Sequence, residues 1–127
     1  MAIEREVGKE SVFLPERLMT SCEDDVLLAF EVVEDFQETT PPHMRRLTAA
    51  VMAHDPIMVR QEAHAILGSS RTIGAEALAA VCARMETAGK SGDLSDAPML
   101  LAEVGRQLHT LSSALTQYQS HPKYKPT

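Results

Sequence analysis

Between Asp55 and Gly74 the apolar residues return only at helical intervals. Val59, Ala63, Ile66 and Ile73 form one stripe, with small Ser70 lying in its gap. Asp55-Pro56 stands ahead of the stripe as a cap followed by a first-turn proline. The spacing predicts a helix from about residue 56 to 73 with a single inward face. At about 100° per residue, His64 lies roughly 160° from Ile66, so its imidazole points into solvent. Gly68 follows one turn later on nearly the same face. A glycine inside a helix costs up to ~1 kcal/mol relative to alanine, and Ile73 carries the stripe past it, so Gly68 does not end the helix. It removes a side chain beside an exposed histidine, as close approach by another molecule requires.

The rest of the chain repeats the helical period. Residues 13–19 read as a short helix with Pro15 in its first turn, and Thr20 or Ser21 as the cap of the next, with Glu23, Asp24 and Asp25 in its first turn. Val26, Leu27, Phe30, Val33 and Phe36 then form a stripe. Thr40-Pro41-Pro42 predicts a break and restart, and Leu47, Ala50 and Val51 continue to about His54. Residues 75–88 make a further helix with Leu78, Val81, Cys82 and Met85 inward, and Gly89 suits the position just past its end. After a turn at 90–93, Ser95 or Asp96 caps a last long helix that carries Met99 or Leu100, then Val104, Leu108, Leu111 and Leu115. No strand-like alternation stands out. The expected fold is all-α: an antiparallel four-helix bundle with a short additional N-terminal helix. Residues 1–12 are expected as a flexible arm, 13–120 as the bundle, and 121–127 as a disordered tail.

Composition narrows the function. A chain of 127 residues suits one domain. Trp is absent and the net charge is −6, which argues against nucleic acid as the main partner, since phosphate binding needs a basic patch. No apolar run approaches the ~20 residues that span a bilayer, and the N-terminus lacks a signal-peptide stretch, so a cytoplasmic protein and a monomer are expected. The five histidines are scattered, with no Glu-x-x-His pair or Cys/His cluster, so neither a metal nor a cofactor is expected. Cys22 and Cys82 are too few for a disulfide framework, and both read as buried thiols.

Ala63-His64, Gly68-Ser69-Ser70, Gly74-Ala75, Leu78, Cys82, Met85-Glu86 and Gly89-Lys90 together resemble the histidine phosphotransfer (HPt) domain of two-component phosphorelays. The family's usual run is Ala-His-x-Leu-Lys-Gly-Ser-Ser, followed by Gly-Ala/Leu and then Leu, Cys, Leu-Glu/Gln and Gly-Arg at helical intervals. The register matches through the two central helices, and the pattern extends from Cys22 to Tyr118. The resemblance implies a phosphocarrier that takes a phosphoryl group from the aspartate of a receiver domain onto His64 and passes it to another. The partners it implies are receiver domains of response regulators or hybrid histidine kinases. An exposed neutral imidazole is a nucleophile near neutral pH, and the receiver brings the activated group, so no further catalytic apparatus is needed.

One departure stands out. The family's lysine, three residues after the histidine, is Leu67 here. Leu67 is expected roughly 60° around the helix from His64, at the border of the exposed face, where it would flank a docking surface of Ala65, Leu67, Gly68 and Thr72 with Ser69 beside them. Arg60 and Arg71 lie within about 40° of the His64 face and can replace the missing charge. The resemblance places Glu86 and Lys90 near the histidine. The alternative reading is an HPt-like module that binds or inhibits a kinase or receiver without carrying phosphate, and Leu67 is its main support.

Overall fold

The computed structural model describes residues 10–120, and within them the chain is helical. The elements are α1 (Pro15–Ser21), α2 (Val26–Met52), α3 (Pro56–Ile73), α4 (Glu76–Ser91) and α5 (Ala97–Ser120). Helices α2 to α5 form the antiparallel bundle and α1 is the short addition, as the periodicity predicts. Among the described residues, no helix is long and apolar enough to cross a membrane. The core is aliphatic: Val33 and Leu47 from α2, Val59, Ile66 and Ile73 from α3, Leu78 and Met85 from α4, and Val104, Leu111 and Leu115 from α5.

The long α2 departs from the expected break. It runs unbroken through Pro41 and Pro42. These prolines deprive the carbonyls of Gln37 and Glu38 of their helical N–H partners. The buried stripe continues on both sides of them, from Val33 and Phe36 to Leu47, Ala50 and Val51, and burial on the bundle outweighs the lost bonds. The start of α2 also moves. Asp25, not Thr20 or Ser21, is its cap, accepting from the Leu28 N–H at 3.0 Å. Cys22 closes α1 instead of opening α2, and Glu23 and Asp24 turn the chain with positive φ.

The expected arm at 1–12 does not extend to its described end. Val12 is buried, and the Ser11 carbonyl accepts from Ala77 N–H at 2.8 Å. Leu14 N–H bonds the Gly74 carbonyl at 2.9 Å, so residues 11–14 run alongside the start of α4. Phe13 stacks edge-on against Tyr118 of α5, with ring centroids 5.6 Å apart. Residues 1–9 and the expected tail at 121–127 lie outside the described residues.

Two glycines set the α3–α4 hairpin. Gly74 ends α3 in the left-handed region at φ 83°, where a side chain is strained. A Cβ there would also lie 2.6 Å from the Leu14 carbonyl oxygen. Gly89, expected just past the end of α4, lies inside it. The helix continues to Ser91 and ends at Gly92 with φ 84°. Gly89 is buried because α4 crosses the first turn of α3 there: a Cβ would meet Arg60 N at 2.6 Å and Pro56 O at 2.8 Å. Gly68 is the opposite case. A Cβ on it meets nothing within 4 Å.

These surroundings give opposite outcomes for one substitution. Gly89→Ala drives a methyl group into backbone and should destabilise the protein by about 1–3 kcal/mol. Gly68→Ala should stabilise it by up to about 1 kcal/mol. Urea unfolding followed by circular dichroism reads both. A Gly89→Ala protein as stable as the parent would show that α3 and α4 do not approach this closely.

Candidate functional site

Helix α3 presents Ile57, Arg60, Gln61, His64, Gly68, Arg71 and Thr72 to solvent, while Val59, Ala63, Ile66, Leu67, Ser70 and Ile73 are buried. The helix starts where Asp55 accepts from Met58 N–H at 3.2 Å and Pro56 opens the first turn. It is held from both sides, by α2 and α4. His64 stands on the outer face with its side chain 72% exposed.

Across the hairpin, Glu86 of α4 lies 2.8 Å from His64 Nδ1 through Oε2. A carboxylate can only accept, so it assigns the proton to Nδ1, which donates. The Nε2 lone pair is then free and directed away from the carboxylate, into solvent. Glu86 is half-buried and so acts from a less aqueous site than the ring it holds. The pair fixes the ring's tautomer and gives any positive charge that develops on the imidazole an anion to face.

The remaining expected residues fall into two groups. Arg60 is exposed one turn before His64, and Lys90 is exposed one turn after Glu86 on α4. Because the Gly89 backbone abuts Arg60, both cations come to the same end of the His64–Glu86 pair. Neither makes an ion pair among the described residues. Arg71 is also exposed, but it stands in the last turn of α3, about 10 Å along the axis from His64. Ser69 Oγ donates to the Ala65 carbonyl at 3.3 Å and Thr72 Oγ1 to the Gly68 carbonyl at 3.2 Å. Their hydroxyls are engaged on their own helix, and Gly68 lies open between them.

Leu67 is not where the spacing suggested. It is 4% exposed and belongs to the core. The α3 face packed by neighbouring helices is wider than the stripe implies, because α2 covers one flank and α4 the other. Leu67 therefore contributes packing, and the docking surface expected around it reduces to Gly68, Thr72 and half-buried Ala65.

A second imidazole–carboxylate pair escaped the sequence reading. Glu62 is 8% exposed and faces α2, where His43 Nδ1 donates to its Oε1 at 2.7 Å and Arg46 Nε to its Oε2 at 3.1 Å. Since Nδ1 carries that proton, its 3.0 Å approach to an Arg46 terminal nitrogen is proximity and not a further bond. Burial pushes the Glu62 carboxyl up, but the His43 and Arg46 bonds outweigh it and hold the carboxyl below its ordinary range. The signal was available: an acid between Val59 and Ile66 on the inward stripe needs partners. Among the described residues no group of three or more His, Cys, Asp or Glu side chains could hold a metal ion. Cys22 and Cys82 are buried free thiols, and burial pushes Cys82 up to about 12.

Comparison with known proteins bears on the family and the fold. The family model of the Hpt domain matches residues 31–119. The crystal structure of histidine-containing phosphotransfer protein B from Pseudomonas aeruginosa PAO1 is similar, with a TM-score of 0.80 and 25% identity over 89% of this chain and 96% of that one. The HPT domain of a sensor hybrid histidine kinase from Shewanella shares the fold, with a TM-score of 0.77 and 20% identity over 86% of this chain and 94% of that one. No curated protein sequence matches the chain significantly.

The burial of Leu67 sets an expectation. Leu67→Lys places an ammonium-bearing chain in the core and should cost at least about 2 kcal/mol of stability, as loss of a buried leucine does. It should not restore a charge beside His64. A stable Leu67→Lys protein in urea unfolding would return this side chain to the surface.

Proposed function

The chain belongs to the Hpt domain family, the histidine phosphotransfer proteins of phosphorelays, and we propose that His64 is the residue that carries its phosphoryl group. The supporting observation is the His64–Glu86 pair: an exposed ring whose inner nitrogen is committed to a carboxylate and whose outer nitrogen is free. Nε2 attacks the phosphorus of a receiver's aspartyl phosphate. The N–P bond forms as the P–O bond to the aspartate breaks, and the electron pair leaves on the aspartate carboxylate. The ring keeps its proton on Nδ1 and gains a positive charge, which Glu86 faces. Return transfer to a second receiver is the same step reversed.

Within this reading, Glu86 is a positioning residue, and Arg60 with Lys90 offsets the charge of the phosphoryl group in place of the lysine replaced by Leu67. Gly68 keeps the approach clear. The chain relays phosphate between receiver domains without independent turnover on a small substrate, and it does so as a cytoplasmic monomer. The alternative of a module that binds or inhibits a histidine kinase or receiver domain without carrying phosphate has Leu67 as its main support. A buried leucine is neutral between the two readings, whereas the oriented imidazole favours transfer.

Labelling by phosphorylated receiver domains tests the assignment. His64→Gln should abolish acid-labile phosphate on the protein with helical circular dichroism unchanged, while His43→Gln should still be labelled. Labelling that persists in His64→Gln would move the site to another histidine. Glu86→Gln keeps a hydrogen-bond acceptor but removes the charge, and should slow transfer by about three- to tenfold, the difference between a charged and a neutral bond. An unchanged rate would deny Glu86 its role.

Gly68 gives a separate check. The open space around it means that Gly68→Gln should fold as well as the parent or better. Transfer should nevertheless slow at least tenfold, equivalent to about 1.4 kcal/mol of barrier, because the new side chain stands where the receiver approaches. Unaltered single-turnover kinetics would show that the receiver docks elsewhere.

A further inference from the structure

Among the large apolar side chains exposed on the described residues, Met52 and Ile57 stand on either side of the turn that joins α2 to α3. Ile57 is 68% exposed and Met52 is 75% exposed. Ile57 lies seven residues before His64, so it shares the His64 stripe of α3 about 10 Å along the axis. Met52 ends α2, across the short turn 53–55. Arg60 stands on the same stripe between Ile57 and His64, and Lys90 approaches from α4 through the Gly89 contact. The other end of the face differs: Gly68, Ala65 and Thr72 offer small side chains next to His64, and Arg71 stands beyond them without a large exposed apolar neighbour on α3. An isolated exposed isoleucine needs no explanation. Two apolar side chains flanking the entry to the helix that bears the reactive histidine, next to two unpaired cations in a chain of net charge −6, form a composite surface.

A receiver whose contact is centred on His64 covers this end. A specific interface occupies about 800 Å² on each partner, which corresponds to a disc of roughly 16 Å radius. Ile57 falls inside a disc of that size centred on His64. We propose that Ile57 and Met52 are the apolar anchor that holds the receiver domain on this face, with Arg60 and Lys90 meeting the acidic, phosphate-bearing part of its surface. This inference rests on the reading of receiver domains as partners and of His64 as the acceptor. The two apolar side chains set affinity and choice of receiver, while the His64–Glu86 pair sets the chemistry. Leu27, at 54% exposure, is comparably exposed on the first turn of α2 and has no part in the anchor.

The test separates binding from transfer. From a panel of isolated receiver domains, the one that binds the parent protein most tightly is titrated against the parent, Ile57→Ser, Met52→Ser, Leu27→Ser and His64→Gln. Single-turnover labelling is then measured across receiver concentrations. Ile57→Ser should weaken binding at least about tenfold, as truncation of an anchor residue does, with Met52→Ser smaller in the same direction. At saturating phospho-receiver both should transfer within about twofold of the parent rate, because the chemistry is intact. Leu27→Ser should leave both measurements unchanged. His64→Gln should still bind but take no label. Binding by Ile57→Ser and Met52→Ser equal to the parent, or an equal loss in Leu27→Ser, would overturn the anchor while leaving the relay reading intact. Label on His64→Gln, or a parent that binds but takes no label, would overturn the assignment of His64, with the binding series still deciding the anchor.

Discussion

The approach of α4 to the first turn of α3 is the contact on which the functional arrangement depends. At Gly89 the two backbones come within the space of one absent methyl group. Packing that close fixes the height of α4 against α3. Glu86 stands about one turn before Gly89 and His64 about one turn after Arg60, so the register that seats Gly89 also brings carboxylate and imidazole to 2.8 Å. The other end of the hairpin is fixed by Gly74, whose left-handed turn is tied to Leu14. An ion pair between exposed groups is weak when its members must find each other. Here two glycines hold the helices in place, and the side chains need only extend.

The protein uses one chemical pairing for two purposes. In both His43–Glu62 and His64–Glu86, Nδ1–H meets a carboxylate at 2.7–2.8 Å. Environment separates them. Glu62 is buried, holds a second bond to Arg46, and joins α2 to α3. Removing His43 would leave the buried Glu62 carboxylate with Arg46 as its remaining partner. His64 is the exposed member of its pair, so its outer nitrogen stays available to a partner. A polar contact in the core thus holds the helix still, and a similar contact at the surface leaves an imidazole open to solvent.

The fold was legible wherever local chemistry and tertiary packing agree. The Val59–Ile73 stripe, the Asp55-Pro56 start and the solvent-facing His64 follow from periodicity and capping, and the structure keeps all three. Sequence reasoning failed where packing overrides a local rule. Pro41-Pro42 reads as a break because an isolated helix could not tolerate the lost bonds, yet the bundle buries α2 on either side of them. Gly89 reads as a terminator because most glycines near a helix end are, and only the position of Arg60 in space shows that it is a contact. Leu67 reads as a border residue because one helix alone does not reveal how many neighbours it has. The partners of Glu62 lie 19 and 16 residues away in α2, beyond the range of any local pattern.

On the proposed function, the burial of Leu67 means that charge around the phosphoryl group comes from other backbone positions. What matters is positive potential within a few ångströms of the developing N–P bond, and Coulomb attraction does not depend on which helix carries the cation. A lysine three residues after His64 would sit on the same helix as the nucleophile. In this chain that position is taken into the core, and exposed cations one turn from the pair stand on both helices, Arg60 on α3 and Lys90 on α4. Both lie toward the end of the face that also exposes Ile57 and Met52, so charge and apolar surface favour the same side of His64. On the other side Gly68 and Thr72 stand next to His64, with Arg71 beyond them in the last turn of α3. On the proposed function, a receiver docking on such a face has one orientation in which its apolar and acidic groups are both matched.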